Sequence, residues 1–237
     1  MADRPLAQIL KAAVLAGLIA GALTAAFHFF LTEPVIDRAI AIEGQARAAG
    51  KMPVEKPPVS RSGQRLGLIA GFLLYGAIWG LVLGLLSRFT RGLTPTWSDS
   101  ARALLLALVL GWSVAIYPFL KYPANPPGVG DPETIGYRQE LFLTSIGLAL
   151  LGAILALILK SYLPRTARLA WPITAVIYVA ILAAVFAALP MVSEQSHIPA
   201  ELIREFRALS LVGHLIFWGV MAGVFVWLRR NASRSQG

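Results

Sequence analysis

Six apolar stretches, at about residues 9–31, 66–86, 103–120, 141–159, 170–190 and 209–228, constrain this chain more than any other feature. Each is near the ~20 residues that carry a helix across a ~30 Å hydrocarbon layer at about 1.5 Å per residue. Inside lipid every backbone N–H and C=O must find a partner, which leaves helices and closed barrels. No strand pattern is present, so helices are predicted. The expected fold class is all-α: a polytopic integral membrane bundle of about six transmembrane helices, forming a single transmembrane domain over 1–237. Composition agrees. The chain is 57% hydrophobic and 14% charged, whereas a soluble domain carries roughly 25% charged residues.

The net charge of +9 would suggest a nucleic-acid partner on a soluble protein. Its distribution argues against that reading. The segments between the apolar stretches fall into two alternating sets. The N-terminus, 87–102, 160–169 and the C-terminus hold Arg4, Lys11, Arg88, Arg91, Arg102, Lys160, Arg165, Arg168, Arg229, Arg230 and Arg234 against only Asp3 and Asp99. The other set, 32–65, 121–140 and 191–208, balances its bases with acids. Basic residues packed into short loops beside span ends mark the cytoplasmic side. Both termini are therefore expected in the cytoplasm, with three polar outer loops, and no nucleic acid is expected as a partner. Thr24-Ala25-Ala26 resembles a leader cleavage site, but the apolar run continues to Leu31, longer than a leader core. The first stretch is expected to remain as a span.

Glycines recur at small-xxx-small spacing: Gly17 and Gly21; Gly67 and Gly71; Gly76, Gly80 and Gly84; Gly219 and Gly223. Lipid gives helices no hydrophobic reward for associating, so close backbone approach supplies the contact. Bundle packing is the expected role of all these pairs. Trp79, Trp112, Trp171, Trp218 and Trp227 lie in or beside the spans, and those near the ends suit the interface.

The outer segments carry the remaining signals. Glu33-Pro34 reads as a helix start with acids in the first turn. Lys51 to Pro58 reads as extended and turn-rich, and Ser60 to Arg65 leads into the second span. Just before and within Lys121–Arg138, Pro118, Pro123, Pro126, Pro127 and Pro132 argue against a regular helix or central strand. Asp131-Pro132-Glu133-Thr134 fits a helix cap ahead of the fourth span. Pro199 opens a short amphipathic, interfacial helix with Ile198, Leu202, Phe206 and Leu209 on one face.

The absence of cysteine removes disulfides, thiolate ligands and cysteine nucleophiles. Any metal must accept imidazole, carboxylate, carbonyl or water. His28 lies about 5 Å inside the outer end of the first span, and His214 about 8 Å inside that of the sixth. His197 lies in an outer loop. Glu33 and Asp37 would share a helix face with His28 about one turn deeper, and Glu43 follows. The candidate metal residues are thus His28, Glu33, Asp37, Glu43, Asn125, Asp131, Glu133, His197 and His214. Ordinary roles compete at each: a carbonyl-bonded imidazole, a helix-capping carboxylate. An ionisable residue within a span carries more functional weight than one on a soluble surface. No HExxH, GxSxG, phosphate-binding loop or paired intramembrane aspartate is present, and no enzyme activity is expected.

Four segments together resemble one family. They are Glu33-Pro34-Val35-Ile36-Asp37-Arg38-Ala39-Ile40 with Glu43; Val59 to Arg65, reading VSRSGQR; Pro118 to Gly130 continuing to Arg138; and Pro199-Ala200-Glu201 with Phe206 to Leu211. Over nearly its whole length the chain resembles the cobalt transporter subunit family CbtA, usually described with five spans against the six counted here. The resemblance implies Co²⁺ as the transported ion, with no permanently bound cofactor. It also implies import for cobalamin synthesis across the bacterial cytoplasmic (inner) membrane. A small single-span, histidine-tailed CbtB-like partner would supply imidazoles that are sparse here. Homo- or hetero-oligomeric assembly stays open. So do two other readings: a non-transporting accessory or assembly subunit, and a permease for another divalent ion such as Ni²⁺, since N/O sites separate such neighbours poorly.

Overall fold

The computed structural model describes residues 5–49, 59–94, 96–163, 169–192 and 196–234. The turn-rich reading of 51–58 and the charges at Asp3, Arg4, Arg165, Arg168 and Glu194 lie outside the described residues. Helices dominate: α1 (Leu6–Phe27), α2 (Glu33–Ala48), α3 (Arg61–Phe89), α4 (Asp99–Gly111), α5 (Tyr117–Lys121), α6 (Ile135–Ser161), α7 (Ala170–Ala188) and α8 (Ala200–Arg234). Six helical runs are long and apolar enough to cross a membrane, and among the described residues no regular strand occurs.

Two of the six runs contain a π-helical turn. His28–Thr32 joins α1 to α2 without a break, and Trp112–Ile116 joins α4 to α5. The first run covers Leu6–Ala48, 43 residues, or about 64 Å, twice the hydrocarbon thickness. Its first half is apolar; α2 extends the same rod into the polar segment that begins at residue 32. Pro34 sits in the first turn of α2 with Glu33 beside it, as expected, but no loop precedes them. The second π-helical turn explains a departure from the sequence reading. Pro118 lies within helix, in the first turn of α5. Tyr117 N–H reaches back to Trp112 C=O, five residues away. That local widening comes just where a proline ring would otherwise press on the preceding turn.

The described residues fall into two compact units. In the first, within Met1–Leu108, Pro126–Gly128 and His197–Gly237, α1 packs along α3 and α8. Gly17, Gly76 and Gly80 let backbone meet backbone: a Cβ at Gly17 would strike the Gly76 carbonyl, and one at Gly80 would lie 3.0 Å from the carbonyl carbon of Ala13. Gly67, Gly71, Gly219 and Gly223 have nothing within 4 Å of where a Cβ would stand. Small-residue spacing marks where helices can approach, and only some of these sites are used within the chain. α3 starts at Arg61, where Ser60 Oγ accepts from Gly63 N–H at 3.2 Å. The expected interfacial helix after Pro199 is the opening of α8, a single 35-residue rod. No proline interrupts its passage into the apolar stretch.

The second unit lies within Val109–Asn125 and Val129–Ser196. α6 packs on α7 and on the α5 segment around Tyr117, Ala149 and Leu182. A polar ladder ties the α5 segment to α7. Ser113 Oγ shares a 2.7 Å hydrogen bond with Tyr178 OH, Tyr117 OH donates to Leu182 C=O at 3.0 Å, and Lys121 Nζ donates to Phe186 C=O at 2.8 Å. Partners advance by four residues on both sides, which requires two helices running parallel. Lys121 is buried, lies 4.5 Å above the Phe186 ring, and bonds one of the carbonyls that α7 leaves open at its C-terminus. Lys121→Met is expected to destabilise the detergent-solubilised protein by about 1–2 kcal/mol, read from the thermal midpoint of helical circular dichroism. An unchanged midpoint would show that the carbonyl needs no donor there.

The proline-rich insert is irregular over 123–126, as its sequence predicts. Gly128 and Gly130 adopt φ of 80° and 86°, conformations that favour glycine. Val129 pairs with Ser196 in an isolated antiparallel bridge.

Candidate metal-ion site

The π-helical turn at the end of α1 sets the geometry of the site. It begins at His28, whose C=O accepts from the Glu33 N–H. The extra residue turns His28, Thr32 and Glu33 all into the interior, where they are 9%, 3% and 4% exposed. His28 Nδ1 lies 2.8 Å from Thr32 Oγ1. The imidazole stacks on Phe72 of α3 at 5.1 Å between centroids and 13° between planes. Its Nε2 edge faces Gly213 of α8, where a Cβ would collide with it. Gly213 immediately precedes His214, so the two span histidines come together at one level of the first unit. One ring nitrogen is held by a hydroxyl, which fixes the orientation of the imidazole, and the other packs against the Gly213 backbone.

One turn further along, Glu33 and Asp37 of α2 meet Arg61 and Arg65 of α3. Glu33 Oε2 accepts from Arg61 Nη2 and, at 3.1 Å, from Arg65 Nε. Asp37 accepts from Arg61 Nε at 2.9 Å and from Arg65 Nη2 at 2.6 Å. Two carboxylates four residues apart thus cross-link two guanidinium groups four residues apart. Arg61 also donates to Gln64 Oε1 at 3.0 Å. The guanidinium groups engage three of the four carboxylate oxygens, so a cation would compete with them there.

Glu43 pairs with Arg47 at 2.7 Å, and Gly128 faces its Cβ. His197 is exposed at the edge of a shallow depression lined by Ile42, Gln45, Ala46 and Ala49. In the second unit Asp131 Oδ1 accepts from Glu133 N–H at 2.9 Å, which is the expected cap, and Asn125 lies half-buried in the irregular segment. Among the described residues no three of His, Asp and Glu gather closely enough to enclose a metal ion. Within the first unit His28 and His214 are the pair brought together.

Sequence reading missed Arg61 and Arg65 as partners of Glu33 and Asp37. The signal was present as matching i, i+4 spacing of opposite charge on two segments that flank adjacent spans. It also missed the ladder, although Ser113, Tyr117 and Lys121 recur every four residues in an otherwise apolar stretch.

Six apolar helical runs define a multi-pass membrane protein, with a buried imidazole at a π-helical turn in the first of them. A family model described as a probable cobalt transporter subunit (CbtA) matches residues 6–230, and the chain belongs to that family. No curated protein and no solved structure matches it.

Proposed function

We propose that the chain carries Co²⁺ inward across the bacterial cytoplasmic membrane, in support of cobalamin synthesis, with both termini on the cytoplasmic side. The observation that carries this reading is the burial of His28 with its Nε2 edge turned to Gly213, beside His214. Co²⁺ accepts imidazole nitrogen readily and needs no thiolate, and this chain has none to offer. The two imidazoles hold the ion partway into the bundle, while water and carbonyl oxygen supply its other contacts. The neutral Glu33–Asp37–Arg61–Arg65 ring lies one turn away and keeps α2 and α3 registered around that position. Family membership as a transporter subunit supports a partner chain, and a small histidine-bearing membrane protein would complete the ligand set.

Uptake of radioactive cobalt by cells expressing the chain with its partner tests the reading. The double variant His28→Ala/His214→Ala is expected to lower uptake by at least about tenfold at equal membrane abundance. His197→Ala is expected to stay within about twofold of wild type, because that ring is exposed and away from the pair. Undiminished uptake in the double variant would reject the paired-imidazole site. Competition by Ni²⁺ in the same assay reports selectivity.

A second reading rests on the lack of a three-ligand cluster among the described residues: the chain assembles a larger complex without moving the ion. Co-purification in that complex, with uptake indifferent to both histidines, would favour it.

A further inference from the structure

Four arginines converge on the first turn of α4, at the end of the first unit where α3 finishes and α8 approaches its own C-terminus. Arg102 Nη1 donates to Asp99 Oδ1 at 2.7 Å, Arg229 Nη2 donates to Asp99 Oδ2 at 2.6 Å, and Arg91 Nη2 reaches the same oxygen at 3.1 Å. Arg230 Nε donates to Ser100 Oγ at 3.2 Å. Arg102 is also held by Thr94 Oγ1 at 2.7 Å and by the Thr94 and Trp97 carbonyls, so it shapes the turn from within. One carboxylate therefore serves three guanidinium groups, and a fourth stands one residue away. These five charged groups carry a formal excess of three positive charges.

We propose that this cluster binds the phosphate of an anionic phospholipid headgroup. Guanidinium forks match the paired oxygens of a phosphodiester, and the N-terminus of α4 adds its own positive end. Arg230 is exposed and Arg91 half-buried, so their forks are within reach of a ligand, while Arg102 and Arg229 are fixed below. The depth fits a headgroup. The cluster lies at the ends of spanning helices, with Trp97 in the same turn and Trp227, 59% exposed, just before Arg229; indoles settle at the membrane–water boundary. Phe89 and Leu93 are exposed beside Arg91 at 71% and 52%, which suits a phosphate that arrives with acyl chains. Anionic lipid attracts such clusters, whereas a zwitterionic headgroup brings its own cation.

The full chain, purified and reconstituted in vesicles of equal parts phosphatidylglycerol and phosphatidylcholine, provides the test. Lipid retained after detergent extraction is counted by mass spectrometry. Wild type is expected to retain phosphatidylglycerol in preference, and Arg91→Gln/Arg230→Gln to lose enrichment on the order of fivefold per arginine. Arg38→Gln/Arg47→Gln removes the same charge from α2 and is expected to retain the lipid as wild type does. Equal loss in both double variants would overturn the proposal in favour of bulk surface charge. In phosphatidylcholine alone, inorganic phosphate is expected to leave the wild-type unfolding midpoint unchanged. A rise abolished by the glutamine pair would assign the arginines to free phosphate and overturn the lipid source. Should the glutamine pair fail to fold, Arg91→Lys/Arg230→Lys preserves charge and is expected to keep part of the enrichment. Full enrichment with lysine would overturn recognition by the guanidinium forks.

Discussion

Glu33→Ala is expected to lower the stability of the solubilised protein by about 3 kcal/mol, one of the two largest single-residue losses anticipated. Glu33 is 4% exposed and accepts from both Arg61 and Arg65. Its removal leaves two guanidinium groups on one remaining carboxylate in a partly dry setting. Breaking one side of a wholly buried pair costs about 3–5 kcal/mol. The lower end applies because side chains of Arg65 and Asp37 are 40% and 44% exposed, and solvent screens part of the imbalance. Combining Glu33→Ala with Arg61→Ala is expected to recover part of the loss, since the second change removes one unbalanced charge. Chemical unfolding followed by helical circular dichroism measures both. Strictly additive losses would show that the four groups do not act as a unit.

Gly76→Leu is expected to cost at least about 3 kcal/mol by separating α1 from α3. A Cβ at Gly76 would lie 2.7 Å from the Gly17 carbonyl carbon, and the obstacle is backbone that no rotamer change can move. The two helices must part along their length, losing the closest interface of the first unit. Gly219→Leu, on a face with open space, is expected to change stability by less than about 0.5 kcal/mol. Equal effects at the two glycines would mean that the α1–α3 contact is not the tight one.

The two glycines also show where sequence reading stops. Gly76 and Gly219 stand in similar small-xxx-small patterns within apolar helices, and nothing local distinguishes them. One meets a neighbouring backbone and the other faces away, because the rotation of each helix about its axis is set by all its neighbours at once. The same limit separates the acids from their partners. Glu33 and Asp37 read equally well as ligands or as capping groups, since the guanidinium groups that claim them lie 24 to 32 positions along the chain. The ladder joins residues 65 apart, beyond any helical period.

Caps and breaks were legible because they are local. Asp131 before Glu133 and Pro34 in the first turn of α2 act within four residues of themselves. The two π-helical turns were not, since no residue type demands one; each answers to packing around His28 or to the strain ahead of Pro118.

By itself the sequence determined the solvent, the number of long apolar helices and the balance of charge between alternate loops. Those follow from hydropathy and length, which the bilayer reads one segment at a time. Tertiary structure alone decided that His28 meets the backbone before His214, that arginines hold Glu33 and Asp37, and that Arg229 reaches Asp99 from 130 positions away. Those are pairings between distant side chains, and their energies exist only once the helices have taken their rotations and depths.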